Sequence, residues 1–348
     1  MRIAMKAARL NDFNTAFSME ECPTPRAGPQ EVVVAVEACG ICGSDLTIIH
    51  GGLKTTLPRT LGHEIAGTIA EVGAGCKTAR VGARVVVYIA SGCGMCQPCR
   101  AGEEFCCVRG AQRIGVTQDG GFAQYVLVPE ANLIPLPDSL TFEAGAVLTD
   151  AVATCLHALE DVGKIVPGEV IAIFGVGGLA TSAIQIAKMH GCRVLAISRS
   201  AKKLELARSV GADEVIVGGE AENVVQAIYA KTDGMGVNLA LQLVANPEVD
   251  LQAVNSLAAF GRLILVGFSA KPFALDSLSI ILKQLTITGS RGMTRANIRR
   301  AIHLAQTGAI RLDPLLQAQH PLSAINEVME EFRAGRLLRA ILKPSETH

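Results

Sequence analysis

Residues 170–180 read VIAIFGVGGLA, an apolar run that ends in a glycine-rich turn, and this stretch decides the fold of the second half of the chain. The turn follows the pattern G-x-G-x-x-A, and a helical pattern continues over 179–190. Glycines in such a turn let the backbone approach a pyrophosphate at the N-terminus of the next helix. A strand before the turn and a helix after it predict a dinucleotide site, which a lone glycine motif would not. The predicted site residues are Gly175, Gly177, Gly178 and Leu179.

On both sides of this turn, apolar strands alternate with amphipathic helical patterns. The predicted strands are 170–174, 193–197, 214–217, 237–244, 262–266 and 285–289. This alternation is typical of a doubly wound parallel sheet, and six strands match a complete dinucleotide-binding domain. The fold class is therefore α/β in this half.

The end of the second predicted strand indicates which dinucleotide is preferred. A site for NAD usually places Asp or Glu there, but this chain has Ser198-Arg199-Ser200, followed by Lys202 and Lys203. A carboxylate repels a 2′-phosphate, whereas an arginine and a serine hydroxyl bind one. We therefore predict that NADP is preferred and NAD is possible, with Ser198, Arg199 and Lys203 as contacts. Alternatively, Arg199 and Lys203 are solvated surface charges.

The first half of the chain has a different pattern, in which short β-rich runs are separated by Gly and Pro. The runs at 31–37, 67–72 and 84–89 predict a mostly antiparallel β unit. Helical patterns at 294–306 and 322–333 precede a tail at 335–342, which we expect to fold back on this unit.

Two short motifs in the β unit predict part of a metal site. Cys42 and Asp45 lie in the sequence GICGSD at 40–45, and His63 and Glu64 follow in GHE at 62–64. Thiolate and imidazole are ligands that Zn²⁺ prefers, and a metal-bound histidine usually donates its other N–H to a carboxylate or carbonyl. For either Cys42 or His63 alone, burial in a core is the better explanation, so a metal site requires a third ligand.

A second predicted metal site lies in a lobe rich in Gly, Pro and Arg that has hardly any apolar periodicity. The stretch 92–99 reads GCGMCQPC, and Cys106-Cys107 follows. Cys93, Cys96, Cys99 and one of the paired cysteines would bind a tetrahedral Zn²⁺ that supplies the missing folding energy. An iron–sulfur cluster is the alternative.

Composition limits the remaining possibilities. A chain of 348 residues is expected to form two domains. With 32 basic and 32 acidic residues it has no net charge to attract nucleic acid or an anionic membrane, so a small, weakly charged substrate fits better. We expect a soluble, cytoplasmic protein, because we find no signal peptide and no apolar run of about 18 residues. Eleven cysteines then indicate metal ligands and buried thiols.

Together these motifs resemble the zinc-containing medium-chain alcohol dehydrogenases, within the medium-chain dehydrogenase/reductase superfamily, over essentially the whole chain. The resemblance implies a GroES-like catalytic domain at 1–154 and 288–348, and a Rossmann cofactor domain at 155–287. It also implies two zinc ions per chain, with Cys107 as the fourth ligand of the second site, and a homodimer or homotetramer.

The resemblance further implies individual roles. Asp150 is the third ligand of the catalytic zinc, where many members carry cysteine, although an Asp after Thr149 is also a plausible helix cap. Glu64 approaches the metal during exchange, Ser44 relays the substrate proton, and Asp45 stands beside the ligands. The implied cofactor contacts are Thr154, Val266 and Arg339. Thr47 replaces the histidine that usually carries the proton onward, and His50 is only a weak substitute.

The implied reaction is reversible hydride transfer between a primary or secondary alcohol and NAD(P), with polyol or hydroxyacyl-type substrates as alternatives within the family. A zinc hydrolase is excluded because Gly67 stands where the motif H-E-x-x-H requires its second histidine. A non-catalytic NADP-binding sensor on the same fold is the remaining alternative, against which Ser44 and the zinc ligands argue.

Overall fold

The computed structural model describes residues 4–219, 221–267 and 271–345, and the chain forms two compact units. Unit 1 comprises Met1–Asp150, Met293–Gly308 and Leu312–His348, and unit 2 comprises Ala151–Gly292 and Ala309–Arg311. Relative to the domain boundaries expected from the sequence, residues 151–154, 288–292 and 309–311 group with unit 2 and not with unit 1.

The strands of the described residues alternate with few helices in the first half of the chain and with many in the second. They are β1 (Ala4–Leu10), β2 (Ser18–Pro23), β3 (Glu31–Ile41), β4 (Arg59–Thr60), β5 (Glu64–Val72), β6 (Arg84–Val87), β7 (Ala90–Ser91), β8 (Gln112–Arg113), β9 (Tyr125–Pro129), β10 (Leu133–Pro135), β11 (Val170–Phe174), β12 (Arg193–Ser198), β13 (Glu214–Val217), β14 (Val237–Gln242), β15 (Leu257–Leu265), β16 (Thr286–Gly289), β17 (Gln319–Pro321) and β18 (Ala340–Lys343).

The α-helices of the same residues are α1 (Gly43–Ile49), α2 (Gln97–Arg100), α3 (Phe142–Val147), α4 (Ala153–Leu156), α5 (Gly178–Met189), α6 (Ala201–Ser209), α7 (Ala221–Lys231), α8 (Pro247–Asn255), α9 (Ser277–Lys283), α10 (Arg295–Gln306) and α11 (Ile325–Arg333).

The main sheet of unit 1 is built around β3. Its order is β10-β6-β5-β3-β18-β17, and β9 also pairs with β3. β5, β9 and β18 all run antiparallel to β3, which agrees with the predicted mostly antiparallel β unit. Because β18 pairs with β3, the C-terminal tail joins this sheet, as the sequence predicted. The valines of β3 are buried, so this strand contributes to the core of unit 1.

Unit 2 contains the predicted six-stranded parallel sheet, in the order β13-β12-β11-β14-β15-β16. Its buried cluster includes Phe174, Leu195 and Leu263, and α7 and α8 add further apolar side chains. The doubly wound α/β prediction is confirmed. The predicted strand bounds differ most in β15, which begins at Leu257 and not at residue 262, because an apolar stretch continues through Ala258.

The longest helical segment, Phe142–Val162, consists of α3, a π-helical turn, α4 and a second π-helical turn. It begins after Thr141, whose hydroxyl accepts a hydrogen bond from the Ala144 N–H at 3.2 Å. Length and composition alone would allow this helix to cross a membrane, but 83% of its most apolar window is buried inside the protein. Core helices of globular proteins meet the same criteria.

Candidate metal and cofactor sites

Four potential metal ligands converge in unit 1. The ligand atoms of Cys42, His63, Glu64 and Asp150 all lie within 4.8 Å of one another. Cys42 directly follows β3 and His63 directly precedes β5, and these ends are adjacent because Gly40 pairs with Glu64 in the antiparallel ladder. The Cys42 thiol donates to Asp150 Oδ2 at 3.1 Å. The sheet therefore brings together two motifs that are separated by about one hairpin in the sequence.

Asp150 reaches this cluster from a π-helical turn, Leu148–Val152. An inserted turn of this kind is rare and is frequently found at functional sites. The alternative interpretation of Asp150 as a helix cap is wrong, because the helix has already begun after Thr141 and the N-cap of α4 is Val152. No sequence signal predicts the π-helical turn, since its residues also suit an ordinary helix.

Asp45 orients both ligand-bearing segments. Its Oδ1 lies 3.3 Å from His63 Nδ1, and its Oδ2 accepts a hydrogen bond from the Cys42 backbone N–H at 2.9 Å. The contact at Nδ1 is an ion-pair contact and not a hydrogen bond, but a carboxylate there favours a proton on Nδ1 and leaves Nε2 as the ligand atom. Ser44 Oγ lies 3.1 Å from this same Nε2. The arrangement places a hydroxyl beside the position that a metal ion would occupy.

The electrostatics of this cluster fit a divalent cation. Burial raises the pKa of the Cys42 thiol and the nearby Asp150 carboxylate raises it further. Burial also raises the pKa of Glu64 well above its usual value, although Arg339 opposes this effect. Glu64 Oε2 is buried and has no hydrogen-bond partner within the described ranges. Such an unsatisfied acceptor, beside sulfur, nitrogen and oxygen donors, suits a bound Zn²⁺.

Arg339 lies against the same cluster. Its guanidinium is almost completely buried, donates to Glu64 Oε1, and lies 3.0 Å from Asp150 Oδ2. Burial would lower the pKa of Arg339, but Glu64, Cys42 and Asp150 outweigh that effect and raise it. The structure thus places the guanidinium on two carboxylates beside the metal ligands, and the cofactor contact that the resemblance implies for Arg339 stays a prediction.

The four-cysteine lobe forms a second cluster in unit 1. The thiols of Cys93, Cys96, Cys99 and Cys107 lie within 4.8 Å of one another, and Cys106 is exposed and outside the group. Zn–S bonds of about 2.3 Å in a tetrahedron put sulfurs roughly 3.8 Å apart, and Cys96 Sγ lies 4.0 Å from Cys107 Sγ. Backbone hydrogen bonds involving Met95 and Cys96 lower the pKa of Cys93 to about 6. Burial instead raises the pKa of Cys99 to about 12. The spacing of the four thiols places them to bind one metal ion.

Polar contacts attach this lobe to the rest of unit 1. Glu104 accepts a hydrogen bond from the Tyr88 hydroxyl at 3.0 Å and forms an ion pair with Arg295. The Arg295 guanidinium lies 4.3 Å from the centroid of the Tyr88 ring. A lobe with little apolar core is thus positioned by one buried network and by its own cysteine cluster.

In unit 2 the glycine turn joins β11 to α5. Gly175 has a φ of +96°, and a Cβ added there would lie 2.1 Å from Val244 Cγ2. Gly177 has an extended backbone, is the N-cap of α5, and would have no neighbour within 4 Å of an added Cβ. Gly178 and Leu179 form the first turn of α5, where the Leu179 carbonyl accepts a hydrogen bond from the Cys155 thiol at 3.1 Å. Open space at Gly177 is what a pyrophosphate would need.

The end of β12 presents the residues that the sequence associated with a 2′-phosphate. Ser198 ends the strand and its Oγ accepts a hydrogen bond from the Ser200 N–H at 3.3 Å. Arg199 is exposed and forms no ion pair in the part of the chain that the structure describes. Ser200 caps α6, which contains Lys203 in a first turn without acidic residues. Arg199 and Lys203 would therefore present positive charge to an anion at this position.

Two further predicted cofactor residues also belong to unit 2. The Val266 N–H donates to the Gln242 carbonyl at 3.0 Å, just beyond the end of β15. Thr154 is buried in α4, one helical turn after Asp150. The structure gives their positions in the fold, and their contact with a cofactor stays a prediction.

Comparison with known proteins identifies two family models in the chain. Residues 28–138 match the alcohol dehydrogenase GroES-like domain, and residues 178–307 match the zinc-binding dehydrogenase domain. An alcohol dehydrogenase of Geobacillus stearothermophilus is 35% identical over 98% of this chain and 100% of its own length. A D-arabinose 1-dehydrogenase (NADP(+)) of Saccharolobus solfataricus is 32% identical over 96% of each chain.

Solved structures give the same result. A protein described as a zinc-binding dehydrogenase from Sinorhizobium meliloti, bound to NADP, has a TM-score of 0.89 and 31% identity, covering 98% of this chain and 100% of its own. A structure described as an NAD-dependent alcohol dehydrogenase has a TM-score of 0.90 and 27% identity, covering 97% and 99% respectively. Relatives of this chain thus include proteins described with either nicotinamide cofactor.

Replacing each of two glycines of the turn by alanine is expected to change a different property, stability at Gly175 and cofactor affinity at Gly177. Gly175→Ala should lower the free energy of unfolding by about 1–3 kcal/mol, because alanine is strained at a positive φ. Gly177→Ala should leave stability unchanged but weaken cofactor binding about tenfold or more, or about 1.4 kcal/mol. Urea unfolding and cofactor fluorescence titration measure the two effects. Unchanged cofactor affinity in Gly177→Ala would rule out a pyrophosphate at this turn.

Proposed function

The chain belongs to the zinc-containing medium-chain alcohol dehydrogenase family and is an oxidoreductase, and from that premise we propose that it interconverts a primary or secondary alcohol with the corresponding aldehyde or ketone, using NADP. The observation that carries this proposal is the convergence of Cys42, His63 and Asp150 beside the Ser44 hydroxyl. In this proposal unit 1 is the catalytic domain and unit 2 the cofactor domain.

The residues of unit 1 suggest how the reaction is supported. Cys42, His63 and Asp150 would hold a Zn²⁺ ion, which supplies Lewis acidity toward the substrate oxygen. Asp45 keeps His63 Nε2 directed at the ligand position. Ser44 Oγ relays the proton that leaves the alcohol, accepting it while its own hydroxyl proton passes on toward solvent. Cys93, Cys96, Cys99 and Cys107 would hold a second ion with a structural role.

A reducing compartment fits the cysteine chemistry, and we place the protein in the cytoplasm on that basis. All eleven cysteines lie in the described part of the chain, and none forms a disulfide. Thiolate clusters that bind metal must remain reduced, which the cytoplasm favours.

We expect purified protein to contain two zinc ions per chain, and Asp150→Asn to lose one of them. The substitution removes a charged ligand without changing the size of the side chain, so the fold should persist. Because the metal contributes several kcal/mol to transition-state stabilisation, kcat should fall about 100-fold or more. Metal analysis and NADP-linked assays with a panel of alcohols and carbonyls measure both effects.

The matched control is Asp138→Asn, which changes an exposed carboxylate of the same unit. It should retain both ions and full activity. The proposal fails if the Asp150→Asn variant keeps both zinc ions and its turnover. It also fails if the protein binds a single zinc ion, loses that ion when Cys96 and Cys99 are both changed to serine, and remains active.

The preference for NADP is a separate prediction, supported by the exposed Arg199 and by the absence of an acidic residue in the first turn of α6. A charge-assisted contact contributes about 1.5–3 kcal/mol, which corresponds to roughly 10- to 100-fold in affinity. Ser198→Asp combined with Arg199→Leu should therefore reverse the preference. The ratio of kcat/KM for NADP and NAD is the measurement.

Arg208→Leu serves as the control for this pair, since Arg208 is exposed near the other end of α6. It should leave the ratio unchanged. Equal kcat/KM values for the two cofactors in the unmodified enzyme would mean that Arg199 is only a solvated charge.

We also propose that the protein is a homo-oligomer that associates through one edge of unit 2. β16 is the terminal strand of its sheet, and α9 contacts the neighbouring β15. Three apolar side chains of α9 are strongly exposed: Leu278 at 59%, Ile281 at 69% and Leu282 at 73%. An exposed apolar patch beside an open sheet edge is a typical interface, and a second copy is the commonest partner.

Charges on this face should dissociate the assembly. Ile281→Glu with Leu282→Glu should reduce the molar mass measured by light scattering to that of one chain, because the charges would be buried at the interface. Val81→Glu is the control, since Val81 is 66% exposed and lies in unit 1. An unmodified protein that is already monomeric, or a double variant of unchanged mass, would refute this interface.

A further inference from the structure

Gly40 has no side chain, and this leaves a space over strand β3 in the main sheet of unit 1. Gly40 in β3 pairs with Glu64 of β5 on one side and with Ile341 of β18 on the other. A Cβ added at Gly40 would lie 2.0 Å from Glu64 Oε2. The Glu64 side chain therefore occupies the space above β3 that any other residue at position 40 would fill.

Arg339 meets Glu64 from the opposite strand. It directly precedes β18, whose first residue, Ala340, pairs with Ile41. The antiparallel register therefore places Arg339 opposite Cys42, the first of the metal-ligand residues. One guanidinium nitrogen, Nη2, contacts both Glu64 Oε1 and Asp150 Oδ2. The same Asp150 oxygen lies 3.1 Å from Cys42 Sγ.

The contact matters because Asp150 is a carboxylate. A cysteine ligand offers a single donor atom, whereas an aspartate offers two oxygens and must be rotated so that one faces the metal. Asp150 projects from a π-helical turn, and the Arg339 nitrogen is 3.0 Å from the oxygen that faces Cys42.

We propose that Arg339 is a positioning residue of the metal site, which holds the Asp150 carboxylate in its ligand orientation. The inference rests on the proposed zinc site and assigns Arg339 a role in that site that does not depend on contact with the cofactor. Partners of metal ligands typically change metal affinity about 10- to 100-fold when they are removed.

The test is a comparison of Arg339→Met in two backgrounds, the natural Asp150 and Asp150→Cys. In cofactor-free enzyme, chelator competition measures the dissociation constant of the zinc ion outside the four-cysteine lobe. Arg339→Met should raise this constant about 10- to 100-fold with Asp150. In Asp150→Cys it should have little effect, because no carboxylate remains to be oriented. The dependence on background is the result that a general loss of packing would not produce.

Two further measurements keep the test decisive. The zinc ion of the four-cysteine lobe should be retained in every variant, which reports that unit 1 is folded. If Arg339→Met does not fold, Arg339→Lys preserves the buried charge but not the geometry of the guanidinium, and it should give a smaller increase in the same constant.

The outcomes separate this inference from the proposed function. Equal zinc dissociation constants with and without Arg339, together with weaker NADPH binding, would overturn the positioning role and leave the zinc enzyme intact. An equal increase in both backgrounds would also overturn it. Unmodified protein that binds zinc only in the four-cysteine lobe would instead refute the catalytic zinc site itself, and the inference with it.

Discussion

Four acidic groups converge around one point of unit 1, and the repulsion among them is the constraint on which the local structure depends. Burial raises the pKa of both Cys42 and Glu64, which reflects the cost of holding these groups ionised beside Asp45 and Asp150. Removing one partner of a buried charged cluster is strongly destabilising, because the others are left uncompensated. Arg339 supplies one positive charge, and a divalent cation would supply two more. The same concentration of acidic groups that makes the cluster costly without a cation favours the binding of a divalent metal ion.

The β-sheet of unit 1 makes this convergence possible. β3 carries Gly40 and leads into Cys42, β5 begins at Glu64, and β18 begins directly after Arg339. Their antiparallel registers place the three chain segments side by side. Only Asp150 arrives from outside the sheet. Three of the four chain segments that form the site are therefore held by the sheet. The fourth supplies Asp150, whose orientation depends on its side-chain contacts.

Unit 2 and the four-cysteine lobe of unit 1 are stabilised by different interactions. Unit 2 is stabilised by a continuous apolar cluster beneath the parallel sheet, which includes fully buried residues such as Phe174 and Leu263. The four-cysteine lobe of unit 1 has no comparable cluster and is held by Glu104, Arg295 and its thiols. Metal binding in such a lobe contributes to folding directly, because the ligands are not arranged in the unfolded chain.

The sequence by itself determined the α/β class, the parallel sheet and the two cysteine- and histidine-containing motifs, because periodicity, glycine turns and ligand spacing are local properties. It also identified Cys93, Cys96 and Cys99 as one cluster, since short spacing leaves few other arrangements. Only the tertiary structure decided that Asp150 projects from a π-helical turn and that Arg339 contacts Glu64 and Asp150. These facts depend on the register between β3, β5 and β18 and on a helical irregularity. Arg339 and Glu64 are 275 positions apart in the chain, and no local pattern records that they will meet.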